Sequence, residues 1–234
     1  MSGTLYGLGV GPGDPELLTV KALRLLRAAT VVAYPAPESG GSFARSIVAP
    51  YLEDGIVEVP IRIPITGGEP GEAVYDRAAA MLGSHLDAGR DVAVLCEGDP
   101  FFYGSFMYLF GRLADRYPVE VVPGVSSLMA CAAALGAPLS ARNDTLLVIP
   151  APLPAGILRV RLAEAEAAAI IKIGRHFEKV RGVLTDLGIV DCARYVERAT
   201  LDNQRIVPID AVDPADVPYF SLILVHRRGA AWQP

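Results

Sequence analysis

The stretch VAVLCEGDPFFYG, from Val92 to Gly104, joins an apolar strand to a turn that carries charged and aromatic residues. Its first five residues are all apolar, which is typical of a strand covered on both faces of a parallel sheet. The turn then places Glu97 and Asp99 beside three aromatic residues. Because ligands of open α/β sheets bind outside the carboxyl ends of strands, the turn is a candidate binding site. Asp99 before Pro100 also fits a plain helix cap.

Two further strands run into turns of the same kind. The strand predicted over Leu5 to Val10 leads into GVGPGD at Gly9 to Asp14, and the strand Val119 to Val122 leads into PGVSS at Pro123 to Ser127. Parallel strands end at a common edge, so we expect the three turns to converge there. For the glycines of the first turn alone, a tight strand-to-helix connection that needs positive φ explains the pattern equally well.

The first turn does not keep the dinucleotide fingerprint G-x-G-x-x-G. Counted from Gly7, the sixth position is Pro12, and counted from Gly9 it is Asp14. Proline removes an amide donor, and a carboxylate at a helix N-terminus opposes a pyrophosphate. The turn is better suited to a neutral or cationic ligand, and a nicotinamide-dependent oxidoreductase is disfavoured.

Strand-like runs alternate with helical patterns along the chain, which predicts an α/β protein with a largely parallel sheet. Turn formers concentrate between Gly136 and Asp144, so we predict domains over 1–140 and 141–234. A helix is predicted over Pro15 to Ala28, and no regular structure is expected around Pro150 to Pro154.

The apolar fraction of 52% requires a test for membrane spans. The longest charge-free run, Val121 to Ala141, is broken by Pro123 and Gly124 at the front and by Gly136 and Pro138 at the back. These breaks leave a buried helix of about three turns, which is too short to cross a bilayer. The N-terminus lacks the features of a secretory signal, so a soluble cytoplasmic protein is expected.

The formal charge of −5 argues against binding to nucleic acid or to an anionic membrane. The three cysteines lie far apart, and no His or Cys pair has metal-ligand spacing, so neither a disulfide framework nor a metal site is predicted. Only three of the 21 basic residues are lysines. A bias toward arginine is either a compositional habit or a sign that carboxylates are recognised bidentately.

At these motifs the chain resembles the tetrapyrrole methylases. GVGPGD at Gly9 to Asp14, EGDPFFYG at Glu97 to Gly104 and VVPGVSSLMACAAALGAPL at Val121 to Leu139 are similar to the family's conserved regions in order and spacing. With IKIGRHFEKV at Ile171 to Val180, they look most like the branch that methylates precorrin-2, or its cobalt-containing counterpart, at C20. Members that act on uroporphyrinogen III tend to carry a GGDP turn, where this chain has Glu97 before Gly98.

The resemblance implies two α/β domains, with a mixed sheet in the smaller second one, an active-site trough between them, and a homodimer. It also implies that S-adenosylmethionine binds in a folded form, largely through backbone groups, and leaves as S-adenosylhomocysteine. Carried over position by position, the cofactor contacts are Pro12, Glu97, Gly98, Asp99, Phe102, Ser126, Ser127, Lys172, Ile173 and Ala199.

The implied reaction moves a methyl group from a sulfonium to a carbon of an electron-rich tetrapyrrole. Such a displacement depends mainly on alignment and on exclusion of water, and it needs no metal. A proton must be lost from the methylated carbon, either with no dedicated base or to one of four candidates: Tyr103, Asp99, Glu97 and His176.

The implied substrate carries several acetate and propionate groups, so a protein of negative net charge needs locally placed cations to bind it. Candidates in or near loops are Arg142, Arg175, Arg77, Arg62 and Arg45. The alternative for each arginine is an ordinary solvated surface cation. A non-catalytic binding protein on the same fold is a third possible function, which the carboxylates and aromatics at Glu97 to Tyr103 make less favourable.

Overall fold

The computed structural model describes residues 2–63 and 71–227. Contacts within the chain divide it into two units, Met1–Ser126 and Ser127–Pro234. Each unit contains one five-stranded sheet covered by helices. The predicted α/β class is confirmed.

All strand pairs of the first sheet are parallel, in the order β3-β2-β4-β1-β5. The strand in the middle, β4, is buried along its whole length, as its unbroken apolar sequence predicts. The strands are β1 (Leu5–Gly9), β2 (Val31–Pro37), β3 (Val57–Ile63), β4 (Val92–Cys96) and β5 (Val119–Val122), and the helices are α1 (Val20–Ala28), α2 (Phe43–Val48), α3 (Glu72–Asp87) and α4 (Phe106–Leu113).

Helices cover both faces of the first sheet. Leu25 of α1 and Ile47 of α2 are buried in the core on one face, and Leu82 of α3 and Leu113 of α4 in the core on the other. The chain leaves β1 toward β2 and leaves β4 toward β5, so the connections of these two neighbouring strands depart in opposite directions. An open α/β sheet has its ligand crevice at such a switch point.

The second sheet is mixed, in the order β6-β7-β10-β8-β9, as expected. Only β6 and β7 pair in parallel, while the other neighbours are antiparallel. Its strands are β6 (Leu146–Pro150), β7 (Ala167–Ile171), β8 (Ala193–Glu197), β9 (Arg205–Val207) and β10 (Ser221–His226), and the helices of this unit are α5 (Ser127–Leu135), α6 (Ala155–Ala163) and α7 (Phe177–Asp186).

The contacts within the chain divide it after Ser126, whereas the domain boundary predicted from the sequence lies at residue 140. The segment concerned is α5, whose Leu128 and Cys131 are buried against β7, β8 and β10. Because α5 is apolar on all sides, its sequence does not indicate which sheet it covers. The domain boundary was therefore predicted at the turn-rich stretch after this helix.

The helix predicted over Pro15 to Ala28 is wrong at its start. Pro15–Leu17 form a single 3-10 turn capped by Asp14, and Leu18 is extended. Helix α1 begins after Thr19, whose hydroxyl accepts a hydrogen bond from a backbone N–H of the first helical turn at 3.1 Å. The sequence contains two N-cap residues, and the second one caps the longer helix.

Residues 151–154 form a turn without regular structure, as expected from the prolines. Helix α6, which begins directly afterwards at Ala155, was not predicted from the sequence. The carbonyl of Pro154 accepts the first helical hydrogen bond, from Leu158, at 3.0 Å. Proline is compatible with the start of a helix because the first amides have no partner inside the helix. The prolines therefore end β6 and precede α6.

Within residues 2–63 and 71–227, no helix combines the length and the apolar character that crossing a bilayer requires. The charge-free run from 121 to 141 contains the end of β5, a turn and the nine-residue helix α5.

Candidate functional site

The three turns found in the sequence lie side by side. We call them the first turn (Gly9–Asp14), the second turn (Glu97–Gly104) and the third turn (Pro123–Ser127). They follow β1, β4 and β5, which are adjacent and parallel, so their carboxyl ends form one edge of the sheet. The predicted convergence is confirmed.

Backbone hydrogen bonds join the first and second turns. The N–H of Gly98 donates to the carbonyl of Gly11 at 2.8 Å, and the N–H of Gly11 donates to the carbonyl of Gly98 at 3.4 Å. Both residues have positive φ, +80° at Gly11 and +65° at Gly98, which side chains disfavour. The glycines are therefore needed for the contact between the turns as well as for their local shape.

Asp99 joins the second turn to the third. Its Oδ2 accepts a hydrogen bond from the N–H of Gly124 at 3.0 Å, and its Oδ1 accepts one from the N–H of Phe101 at 2.9 Å. Oδ2 thus links the second turn to the third, and Oδ1 fixes the local shape of the second turn. The predicted contact of the carboxylate with the cofactor stays a prediction and would use the remaining lone pairs.

Gly9, Gly98 and Gly124 form a glycine cluster at this edge. A Cβ added to Gly9 would lie 2.5 Å from the nitrogen of Gly124, and one added to Gly124 would lie 2.0 Å from the carbonyl oxygen of Gly98. These distances are far below van der Waals contact, so the backbones of the three turns pack directly on one another. A ligand at this edge would meet many backbone groups.

Glu97 is the other carboxylate of the second turn, and it is exposed to solvent. The surrounding protein removes part of its water and so raises the pKa of its carboxyl, while a hydrogen bond from the backbone of Ala44 in α2 acts in the opposite direction. Sequence reasoning gave no sign of the Ala44 contact, because it depends on how α2 packs on the sheet.

Three consecutive aromatic side chains follow. Phe101 is 48% exposed although it packs edge-on against Phe110, and Phe102 packs edge-on against Tyr103. Tyr103 has φ of 55°, which is uncommon for a residue other than glycine. Exposed aromatic rings on a strained backbone favour a site that contacts a ligand.

The other cofactor candidates of the first unit and of its boundary flank these contacts. Pro12 directly follows Gly11 and is half-buried. Ser126 is buried at the end of the third turn, whereas Ser127, the first residue of α5 and of the second unit, is exposed. The structure therefore brings Pro12 to the predicted edge with Gly98 and Asp99.

Three cofactor candidates lie at one edge of the second sheet. Strands β7 and β8 both run antiparallel to β10, so they end at the same edge, where Lys172 and Ile173 follow β7 and Ala199 follows β8. Lys172 is exposed, while Ile173 and Ala199 are buried. Positive φ values occur at Lys172, Arg198 and Thr200.

A buried carboxylate that the sequence analysis did not single out lies beside this edge. Glu197 is only 3% exposed, and its Oε1 accepts hydrogen bonds from Arg198 at 2.8 Å and from Arg205 at 3.2 Å. Its Oε2 accepts a hydrogen bond from the hydroxyl of Tyr195 at 2.5 Å. The sequence feature that could have indicated Glu197 is its position as a charged residue at the end of the strand sequence ARYVE.

The substrate-binding candidates lie in different surroundings. Arg45 donates to both oxygens of Glu58, at 2.6 and 2.7 Å, and Tyr34 donates to the same carboxylate at 2.7 Å. Arg62 lies within strand β3 and not in a loop, and its exposed side chain donates to a backbone carbonyl at 2.8 Å. The remaining three are also exposed: Arg77, Arg142 and Arg175.

We expect Glu58→Gln to lower the free energy of unfolding by about 1–2 kcal/mol at neutral pH. The Arg45 guanidinium, followed by the Tyr34 hydroxyl, holds the pKa of Glu58 below its ordinary value. For a depressed pKa, the stabilisation is present above the ordinary carboxyl range and is lost as the pH falls through the folded-state value. Urea unfolding of wild type and variant from pH 7 to pH 3 should therefore give curves that converge in acid.

The exposed Glu53→Gln serves as the matched control and should follow wild type across this range. A Glu58→Gln difference that stays constant with pH would contradict the proposed role of the ion pair.

His176 precedes α7 in the second unit. Loss of solvent lowers the pKa of its imidazole, and the neighbouring charges of Lys179 and Arg175 lower it further. The neutral imidazole is therefore favoured, and a proton that it accepted would sit beside two cations.

The first unit is an open parallel α/β sheet whose switch point carries three joined turns lined by backbone groups and carboxylates, which is the geometry of a small-ligand crevice. Residues 4–213 match the family model of the Tetrapyrrole (Corrin/Porphyrin) Methylases. The chain therefore belongs to the tetrapyrrole methylase family, as its three motifs indicated.

Similar proteins share most of this sequence. The chain is 43% identical to the precorrin-2 C(20)-methyltransferase of a Sinorhizobium species over 95% of both chains. It is 32% identical to the cobalt-precorrin-2 C(20)-methyltransferase of Salmonella typhimurium, over 97% of this chain and 98% of that one. It is also 47% identical to the cobalamin biosynthesis protein CobIJ of Mycobacterium tuberculosis over 95% of its own length, but it spans only 46% of that protein.

Two solved structures are similar over nearly the whole chain. The cobalt precorrin-4 methyltransferase CbiF matches with a TM-score of 0.77 and 26% identity, over 99% of this chain and 96% of that one. The uroporphyrin-III C-methyltransferase of Thermus thermophilus, solved with S-adenosylhomocysteine, matches with a TM-score of 0.71 and 28% identity, over 96% and 98%.

Proposed function

We propose that this protein is an S-adenosylmethionine-dependent methyltransferase that methylates precorrin-2 at C20 to give precorrin-3A. The observation that carries the proposal is the junction of three turns through Gly98 and Asp99, in a chain 43% identical to a precorrin-2 C(20)-methyltransferase along almost its full length. The cobalt-containing substrate is the alternative, because a cobalt-precorrin-2 relative covers the chain equally well.

The residues at the sheet edge where the three turns meet fit a cofactor that is cationic and carries no phosphate. Pro12 offers no amide donor, and Asp14 already caps the 3-10 turn at the place where a pyrophosphate would need positive potential. Backbone groups and carboxylates suit the ribose hydroxyls and the ammonium of S-adenosylmethionine instead. The cofactor supplies the electrophilic methyl group. The residues proposed to hold it in the first unit and at its boundary are Pro12, Glu97, Gly98, Asp99, Phe102, Ser126 and Ser127.

The second-unit contacts at Lys172, Ile173 and Ala199 stay predictions, supported by their common position at the strand ends. For the acetate and propionate groups of the substrate, the exposed arginines are the better candidates, since the guanidinium of Arg45 is already bound to Glu58. The resemblance to the family also favours a homodimer, which we include in the proposal together with the cytoplasmic location expected from the sequence.

Calorimetric titration with S-adenosylhomocysteine and with NAD separates this function from an oxidoreductase. We expect binding of the first and none of the second. Incubation with methyl-labelled cofactor and either precorrin-2 or its cobalt-containing counterpart then identifies the substrate. Label at C20 supports the proposal, whereas label at C2 or C7 would assign the chain to the uroporphyrinogen-III branch.

Asp99→Ala should weaken the binding of S-adenosylhomocysteine by about 1–3 kcal/mol, the usual scale for losing a hydrogen bond to a charged group. Part of the effect would be indirect, because the N–H of Gly124 loses its acceptor. The exposed Asp76→Ala, which only breaks an ion pair with Arg112, is the control and should leave affinity unchanged. Equal calorimetric affinities for the two variants would show that Asp99 does not contribute to binding of the cofactor.

A further inference from the structure

Methylation of a carbon that carries hydrogen is incomplete until a proton leaves. When a methine carbon of the macrocycle attacks the methyl group, it becomes tetrahedral and keeps its hydrogen, and the ring system carries a positive charge. Removal of that proton returns the C–H electron pair to the ring and restores the double bond. The inference below rests on the proposed function and concerns the group that receives this proton.

Asp99 is poorly placed for this task. Its Oδ1 accepts a hydrogen bond from the N–H of Phe101 within the second turn, and its Oδ2 accepts one from the N–H of Gly124, which joins the second turn to the third. Protonating the carboxylate would weaken both contacts at the moment when the site must keep its shape. Asp99 is therefore a positioning residue.

His176 and Tyr103 are also disfavoured. A proton on His176 would be repelled by the charges of Lys179 and Arg175, which already lower the pKa of the imidazole. A tyrosine hydroxyl already carries a proton in its neutral form, so Tyr103 could act as a base only after losing it.

Glu97 does not have these drawbacks. It directly follows β4 at the switch point, its side chain reaches solvent, and it precedes Gly98, where the first and second turns join. The backbone of Ala44 donates to its carboxylate and leaves further lone pairs for a proton. The same surroundings raise the pKa of Glu97, which brings a carboxylate closer to the range of an effective base.

We propose that the Glu97 carboxylate accepts the proton that leaves C20 after methyl transfer. In this step the C20–H bond breaks, its electrons re-form the ring double bond, and an O–H bond forms on Glu97. The carboxyl then releases the proton to solvent, so each turnover yields methylated product, S-adenosylhomocysteine and one proton.

Glu97→Gln tests this role with little change of shape, because its amide oxygen can still accept the Ala44 hydrogen bond. We expect kcat to fall by about 10²–10⁴-fold, the usual contribution of a general base. Because Glu97 is also a proposed cofactor contact, kcat is measured at saturating S-adenosylmethionine, where the loss of rate should remain whatever the change in affinity. Calorimetric binding of S-adenosylhomocysteine shows that the variant is folded. With substrate deuterated at C20, the variant should show a primary isotope effect on kcat that exceeds the wild-type value.

The pH profile gives an independent readout. Wild-type kcat should decrease in acid as Glu97 becomes protonated, and Glu97→Gln should lack this limb. Exposed Glu53→Gln is the control for charge removal and should retain both rate and profile.

The outcomes separate the two proposals. A Glu97→Gln protein that turns over within threefold of wild type, or whose defect lies wholly in cofactor affinity, overturns this inference alone. Wild-type protein that transfers no methyl group to either tetrapyrrole overturns the proposed function, and this inference with it.

Discussion

Gly124→Ala should abolish the measurable binding of S-adenosylhomocysteine and destabilise the fold by about 2–4 kcal/mol. The added Cβ would lie 2.0 Å from the carbonyl oxygen of Gly98 and 2.8 Å from the Cα of Gly9. Both obstacles are backbone atoms, so no side chain can rotate away to relieve the clash. The third turn must therefore move away from the other two.

That movement would also lengthen the 3.0 Å hydrogen bond from the N–H of Gly124 to Asp99, so one methyl group would disturb all three turns. Calorimetric titration measures the loss of binding, and urea unfolding measures the loss of stability.

Gly111→Ala provides the matched control for this substitution. Gly111 lies on the exposed side of α4, and a Cβ there meets no atom within 4 Å. Alanine in a helix should raise stability by up to about 1 kcal/mol, with cofactor affinity unchanged. If Gly124→Ala bound S-adenosylhomocysteine as Gly111→Ala does, the packing of the glycine cluster would not be needed for the site.

The position of the turns could be predicted from the sequence because burial leaves a direct mark on strand composition. An apolar run such as Val92–Cys96 has to be covered on both faces, which places the following turn at the carboxyl edge of a parallel sheet. The motif residues of the turns were identified by their resemblance to the family's conserved regions. Neither observation contains the strand order, so the contact between Gly9 and Gly124 could not be derived.

Long-range polar pairing was also beyond the sequence. The sequence did not distinguish Arg45 from the other four candidate arginines, and it is the parallel pairing of β2 with β3 that brings Glu58 within reach of its guanidinium. Asp99 looked like a local helix cap or a ligand contact, whereas its Oδ2 accepts from a residue 25 positions later. In each case the partner depends on how strands align, which local patterns do not encode.

Glu197→Ala should lower the free energy of unfolding by about 2–4 kcal/mol. The buried hydroxyl of Tyr195 would lose its acceptor, and the guanidinium groups of Arg198 and Arg205 would lose the carboxylate that pairs with them. The side chains of these arginines are 31% and 55% exposed, so water can compensate part of the charge. This keeps the expected loss below that of a fully buried ion pair.

Glu178→Ala is the control, since Glu178 also pairs with an arginine but lies on the surface. It should cost no more than about 0.5 kcal/mol by urea unfolding. Glu197→Gln should fall between the two, because its amide oxygen can still accept one hydrogen bond. If Glu197→Ala were as stable as Glu178→Ala, the buried network would contribute nothing to the second sheet.

The binding of S-adenosylhomocysteine to Glu197→Ala extends this test to the proposed site. Arg198, with φ of 50°, connects Glu197 to Ala199, so the carboxylate restrains the backbone next to a predicted cofactor contact. Affinity should fall severalfold at temperatures where the variant remains folded. Full affinity in a destabilised but folded protein would show that Glu197 supports the sheet and has no influence on the cofactor.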